Sequence, residues 1–96
     1  MAICRTEHRF FAYIKGKSAT YFTRNYCGGS DMDFWCIEAN GYKRRSSALS
    51  LAKAEKEHGE YGQKEIGVVD VTLEYTVNEK GCERPCRFKA THIPLN

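Results

Sequence analysis

Residues 67–77, "GVVDVTLEYTV", are the stretch that decides the fold. From position 69 onward, apolar residues occupy the odd positions and polar residues occupy the even ones. Successive side chains of a β-strand point to opposite faces, so this period of two predicts a strand with one face on a core and the other in water. An antiparallel sheet is therefore the expected centre of the fold.

Four more segments are predicted to be strands of the same sheet. The alternation in "HRFFAYIKG" (8–16) and the β-branched and aromatic residues of "TYFTRNYC" (20–27) predict a hairpin with the turn "GKSA". After a loop at 28–33, "FWCIEA" (34–39) is expected to be the third strand. "RFKATHI" (87–93) follows the turn "NEKG" and is expected to return beside residues 67–77.

Between these strands the apolar period changes to that of a helix. Ser46 or Ser47 is the expected N-cap, and Ala48, Leu51 and Ala52 recur at spacings of three and four. The helix is expected to end at the glycine in position 59. The predicted order is β-β-β-α-β-β, which indicates an α+β fold with an antiparallel sheet of about five strands and one helix packed on one face.

Length and composition predict one soluble domain. The 96 residues are 42% hydrophobic and 28% charged, which is ordinary globular composition. No apolar leader opens the sequence, and no window is long enough to span a membrane. A cytoplasmic protein, in the host cytoplasm if it is phage-encoded, with no membrane partner, is therefore expected.

Five cysteines occur in this sequence, and an odd count cannot close completely into internal disulfides. Cys82 and Cys86 have a spacing suited to zinc or to a small disulfide loop, and the sequence leaves these two alternatives open. Zinc requires four ligands, and no second close pair is present, so no metal or other cofactor is expected. Cys27 and Cys36 lie among aromatic residues and are expected to be small core residues.

Catalytic motifs are missing from the sequence. It contains no nucleophile elbow, no phosphate-binding glycine loop and no HExxH pattern. No carboxylate pair has a setting that would push two pKa values apart. The protein is therefore expected not to be an enzyme.

Cations are concentrated in the first half of the chain. Residues 1–48 contain eight Lys and Arg against four Asp and Glu, within a net charge of +3. Lys43, Arg44 and Arg45 run into the predicted helix, where positive charge is the unfavourable sign. They form either an anion site with the free N–H groups of the helix start or a solvated loop.

A second basic group lies on and beside the first hairpin, among tyrosines. Basic and aromatic side chains together suit single-stranded nucleic acid through stacking, and they suit protein hot spots equally well. The alternative is that the tyrosines cover the back of the sheet. The predicted partner-binding residues from both groups are Tyr13, Lys15, Lys17, Arg24, Lys43, Arg44 and Arg45.

Residues 22–55 resemble short phage and mobile-element proteins. The residues that carry the resemblance belong to a tyrosine-rich hairpin, a tryptophan-containing segment, a short turn and an alanine-rich helix: Tyr21, Phe22, Trp35, Tyr42, Ala48, Leu51 and Ala52. Such proteins include small anti-CRISPR inhibitors, which block a partner by surface contact. The resemblance implies host defence evasion through a host protein or protein–nucleic-acid complex. Direct binding to DNA or RNA is the alternative, and the aromatic surface also allows a homodimer.

Overall fold

The computed structural model describes residues 3–29, 31–59 and 64–95. Its five strands form one antiparallel sheet in the order β3-β2-β1-β4-β5, so the predicted α+β class with a five-stranded antiparallel sheet is confirmed. No helix in these ranges is long and apolar enough to cross a membrane. The elements are β1 (Ile3–Lys15), β2 (Ala19–Thr23), β3 (Tyr26–Gly29), α1 (Phe34–Asn40), α2 (Arg45–His58), β4 (Glu65–Val77) and β5 (Glu83–Pro94).

The predicted third strand, residues 34–39, is wrong, because this segment is helix α1. The carboxylate of Asp33 accepts a hydrogen bond of 2.8 Å from the backbone N–H of Cys36, which caps the helix and lowers the pKa of Asp33. Ile37 then lies one turn after Phe34, and both side chains pack on the sheet. The Asp33 cap and the spacing of three between these two apolar residues favour a helix, and they outweigh the strand propensity of the aromatic residues.

The predicted second strand, residues 20–27, is two strands. A turn at Arg24 and Asn25 separates β2 from β3, which pair through Thr23 with Tyr26 and Phe22 with Cys27. Part of the predicted loop at 28–33 is consequently strand, while its residue 30 lies outside the described residues. The sheet keeps five strands because this extra strand replaces the one that became α1.

Helix α2 begins two or three residues earlier than predicted. Its first residue is Arg45 and its N-cap is Arg44, which makes no side-chain capping hydrogen bond, so the serine caps are corrected. The helix ends at Gly59 as predicted, although the backbone there is extended and not left-handed. A Cβ at Gly59 would lie 2.5 Å from the carbonyl oxygen of Glu55, so space, not conformation, favours glycine.

The two helices cover opposite faces of the sheet, which corrects the prediction of one helix on one face. On the α1 face, Ile37 packs against odd-numbered residues of β1 and β4, including Phe11 and Leu73. On the α2 face, the alanines at 48 and 52 allow the helix to lie close to Val68. Both faces of β4 are therefore largely buried, and the predicted water-exposed face of this strand is wrong.

The chain crosses from the α1 face to the α2 face at Gly41 and Tyr42. Tyr42 exchanges two backbone hydrogen bonds of 2.8 Å with Phe10, beyond the point where β2 stops pairing with β1. A Cβ at Gly41 would lie 2.6 Å from the Cβ of Arg9, so only glycine fits this close approach. The crossing fixes where the segment Lys43 to Arg45 emerges from the sheet.

Candidate functional site

Four cations come together where the chain crosses the sheet, and we call this group the basic edge: Arg24, Lys43, Arg44 and Arg45. The phenol oxygen of Tyr42 accepts a hydrogen bond of 2.9 Å from the backbone N–H of Arg24, which ties the β2–β3 turn to the residue that precedes Lys43. Residues 18 positions apart in sequence thus become neighbours. Arg24 of the second predicted basic group therefore lies next to the segment that carries the first group.

The side chains of the basic edge have no acidic partner among the residues that the structure describes. All four residues are exposed. Among the ion pairs of the described residues, none involves Arg24, Lys43, Arg44 or Arg45. Their charge is therefore not neutralised within the described part of the chain, and it is available to an anionic partner.

A groove of about 780 Å³ begins beside the basic edge, on the α2 face between the β2–β3 hairpin and the end of α2. Its floor includes Ile14, Thr20, Phe22 and Cys27, which share one face because they pair directly across neighbouring strands. Glu55 of α2 lies on the opposite wall. The groove is therefore an open channel with an apolar and hydroxyl-bearing floor.

Cations stand at both ends of this groove. Lys17 lies in the turn between β1 and β2, and Arg24 lies in the turn between β2 and β3. Lys64 also lines the groove, and a Cβ at Gly16 would contact its ammonium nitrogen at 3.6 Å. Arg24 belongs to both the groove and the basic edge, so the two form one continuous basic surface.

Two of the predicted partner-binding residues lie away from this surface. Tyr13 is 0% exposed, and its hydroxyl donates a hydrogen bond of 2.8 Å to Glu65, while burial raises its pKa. It is a core residue and takes no part in a surface contact. Lys15 is exposed but is adjacent in β1 to the groove residue Ile14, so its side chain points to the α1 face.

Arg5 and Arg9 of the sheet, in contrast, are paired with glutamates. We call Arg5, Glu7, Arg9 and Glu83 the paired cluster; it lies on the α1 face. Arg9 is 7% exposed and donates to Glu7 at 3.1 Å and to the backbone oxygen of Glu38 at 3.1 Å. The Arg9 hydrogen bond is the largest influence that lowers the pKa of Glu7. Arg5 donates to Glu83 at 2.8 Å, which raises the pKa of Arg5.

Aromatic side chains form a second exposed feature, the aromatic patch, which consists of Phe34, Trp35 and Phe88. Trp35 is 62% exposed and Phe88 is 39% exposed. The Phe34 ring lies 6.1 Å from Trp35 and 6.5 Å from Phe88, centroid to centroid, in edge-to-face arrangements. Phe88 also lines a small cavity of about 90 Å³ beside Met32.

The cysteines differ from the sequence expectation. Cys27 is exposed on the groove floor and Cys36 is half-buried, so neither is the core residue that was predicted. All five thiols are free, including Cys82 and Cys86. In the described ranges, no three His, Cys, Asp or Glu side chains are grouped as ligands for a metal ion.

Phe22 and Tyr42 were missed as site residues. The sequence contained features that could have identified them. Phe22 is an aromatic residue in a predicted strand next to basic residues, and Tyr42 lies between a turn and three cations. Nothing in the sequence indicated that the two would lie beside the same basic surface. Trp35 was not predicted to be a contact residue because residues 34–39 were assigned to a strand, in which every second side chain is expected to be buried.

No protein-family model, curated protein or solved structure matches the chain. The roles of the basic edge, the groove and the aromatic patch are therefore inferred from contacts, burial and charge.

Proposed function

We propose that this protein is a non-enzymatic binding protein that acts on nucleic acid or on a complex that handles it, and that its basic edge binds nucleic-acid phosphates directly. The single observation that carries the proposal is the set of exposed cations beside the groove that form no ion pair with any residue in the described ranges. Arginine and lysine at such positions bind phosphate through charge and hydrogen bonds.

The contrast with the paired cluster supports this assignment. Where the fold buries or half-buries an arginine, it provides a glutamate, as for Arg9 and Glu7. At the basic edge, Arg24 is next to Tyr42, whose hydroxyl is neutral. A surface whose only role is solubility is expected to intersperse positive and negative side chains. Concentrated charge of one sign instead attracts an anionic partner over a distance.

The experiment measures the salt dependence of binding. Each phosphate neutralised on a single strand contributes about 0.7 to the slope of log affinity against log salt. Replacing Lys43, Arg44 and Arg45 with Gln should therefore flatten that slope by about 2 and weaken binding at low salt. Fluorescence anisotropy with labelled DNA and RNA between about 50 and 200 mM salt gives both quantities.

A matched control changes the same number of charges elsewhere. Lys80, Arg84 and Lys89 are exposed on the β4–β5 turn and on β5, at the opposite edge of the sheet. Their replacement with Gln alters net charge equally and should leave most of the slope unchanged. Equal losses in both triple variants would show that the basic edge is not the binding site, and no shift of any nucleic acid by the wild-type protein at low salt would disprove direct binding.

Surface contact with a host protein is the second candidate, and the aromatic patch favours it. Tryptophan is enriched in protein hot spots, and Trp35 is 62% exposed. This is the mode of action of the anti-CRISPR-type phage inhibitors that the chain resembles. A specific protein should be captured from a nuclease-treated host lysate by the wild-type protein and lost with Trp35→Ala, while the Lys43–Arg45 variant keeps it. A homodimer through the same patch would appear instead as dissociation of a dimer by Trp35→Ala in sedimentation.

A further inference from the structure

Phe22 is positioned in the groove as a stacking surface. It lies on the groove floor, opposite Cys27 in the strand pairing, and part of its side chain is exposed. Its inner edge packs with the residues under α2, which holds the ring in place. A fixed aromatic ring at the bottom of a basic groove accepts any base, because every base has a π-face.

The charges around Phe22 are arranged for a strand that runs along the groove. At about 3.3 Å per residue, Lys17 and Arg24 stand about 20 Å apart along the direction of β2. Phe22 lies between them in sequence, with Thr20 on the same face. Glu55 is the carboxylate that lines the groove, and it disfavours a phosphate beside it. Lys17 and Arg24 attract phosphates to the two ends, and the uncharged side chains of Thr20 and Phe22 between them suit an uncharged base.

A duplex cannot use this arrangement. Bases in a duplex are stacked and paired, and only an unstacked base can enter a groove and lie on a side chain. The basic edge outside the groove has no such restriction, because it meets phosphates alone.

We propose that the groove selects single-stranded nucleic acid, with one unpaired base stacked on Phe22 and with phosphates several nucleotides apart, on either side of that base, held by Lys17 and Arg24. This inference rests on the proposed nucleic-acid function and assigns its substrate class. Selection arises from the base and not from charge, so a strand of equal charge without bases should bind more weakly than a strand with bases.

The test compares three probes on the wild-type protein: a thymidine strand of about 12 nucleotides, a duplex of equal length, and an abasic strand of equal length. The thymidine strand should bind about tenfold tighter than the abasic strand, as expected for one base–aromatic stack. The ring proton signals of Phe22 should move upfield in NMR spectra when the thymidine strand is added. These wild-type measurements do not depend on any variant folding.

Phe22→Leu and Phe22→Tyr form the matched pair of variants. Leucine preserves apolar volume without a ring, so thymidine-strand affinity should fall about tenfold while duplex affinity stays the same. Tyrosine retains the ring and should retain affinity. Equal binding of thymidine and abasic strands, or equal weakening of strand and duplex by Phe22→Leu, would overturn the single-strand inference and leave the basic edge intact. Absence of binding by all three probes would remove both proposals.

Discussion

Arg9 and Arg44 belong to the same small sheet domain, but the structure uses their charges in opposite ways. Arg9 is buried in the paired cluster, with a carboxylate and two backbone oxygens as acceptors. Arg44 is exposed at the basic edge, precedes α2 as its N-cap residue and makes no side-chain capping bond. One arginine holds the fold together, and the other leaves its charge available to a partner.

The difference follows from the cost of burying charge. A buried cation without acceptors would cost several kcal/mol, so a fold can bury Arg9 only by surrounding it with oxygen atoms. An exposed cation is solvated and costs little, so selection for binding can act on it separately from stability. Substitutions in the two regions should therefore separate stability from binding.

The largest expected loss of stability comes from the paired cluster. Arg9→Ala should lower the free energy of unfolding by about 3 kcal/mol, because buried acceptors, including the carbonyl of Glu38, lose their donor. Urea unfolding measures this loss. Arg45→Ala is the control at an exposed arginine and should change stability by less than about 0.5 kcal/mol. Similar losses in both variants would remove the contrast between the two regions.

Gly41→Ala tests the crossing that joins the two regions, and its expected cost is about 2 kcal/mol from overpacking. The added Cβ would lie 2.6 Å from Cβ of Arg9 and 3.0 Å from a ring carbon of Phe11. Gly16→Ala is the control, since a Cβ there meets Lys64 at an ordinary 3.6 Å. Thermal unfolding of both variants measures the difference. A stable Gly41→Ala protein would mean that the crossing tolerates a side chain.

Tyr75 offers a smaller effect that depends on pH. Its hydroxyl donates to Glu38, and burial with this hydrogen bond raises the pKa of Tyr75 to about 12. The fold thus favours the neutral phenol of Tyr75. The contribution of this hydroxyl to the free energy of unfolding is therefore complete below pH about 10 and is lost as the pH rises towards about 12. Tyr75→Phe should be about 1 kcal/mol less stable than wild type at pH about 8.

The stability difference between Tyr75→Phe and wild type should shrink as the pH passes from about 10 to about 12, since wild type alone loses this contribution. Urea midpoints at several pH values measure it. A difference that stays constant over this range would mean that the Tyr75 hydroxyl ionises equally in the folded and unfolded protein.

The smallest expected effect on stability belongs to the basic edge. Replacing Lys43, Arg44 and Arg45 with Gln should change the free energy of unfolding by less than about 0.5 kcal/mol, although the same variant is expected to lose nucleic-acid affinity. Removing cations next to the N-terminus of α2 also relieves an unfavourable dipole interaction, so slight stabilisation is the expected direction. A loss above about 1 kcal/mol would place these side chains among the structural contacts of the fold.

The sheet was predictable where one local signal dominated. The strict alternation of residues 69–77 correctly predicted a strand and the alanine spacing correctly predicted a helix, although the second face of that strand is buried and not in water. Residues 34–39 were misassigned because aromatic residues favour strands, whereas the Asp33 cap, which decides the helix, is one residue outside the segment. The turn at Arg24 and Asn25 was missed although Asn is a common turn residue, because the aromatic and β-branched residues on both sides favour one continuous strand.

The sequence by itself determined the composition of the site: which cations exist, that they outnumber acids in the first half of the chain, and that they lie among aromatic residues. Only the tertiary structure decided which of them are available. Alternation along β1 sent Tyr13 into the core, a glutamate neutralised Arg9, and the crossing at Tyr42 brought Arg24 beside Lys43. Charge is a property of each residue, but whether that charge is available to a partner depends on neighbours that are distant in sequence. The packing of two helices on opposite faces of one sheet determines those neighbours.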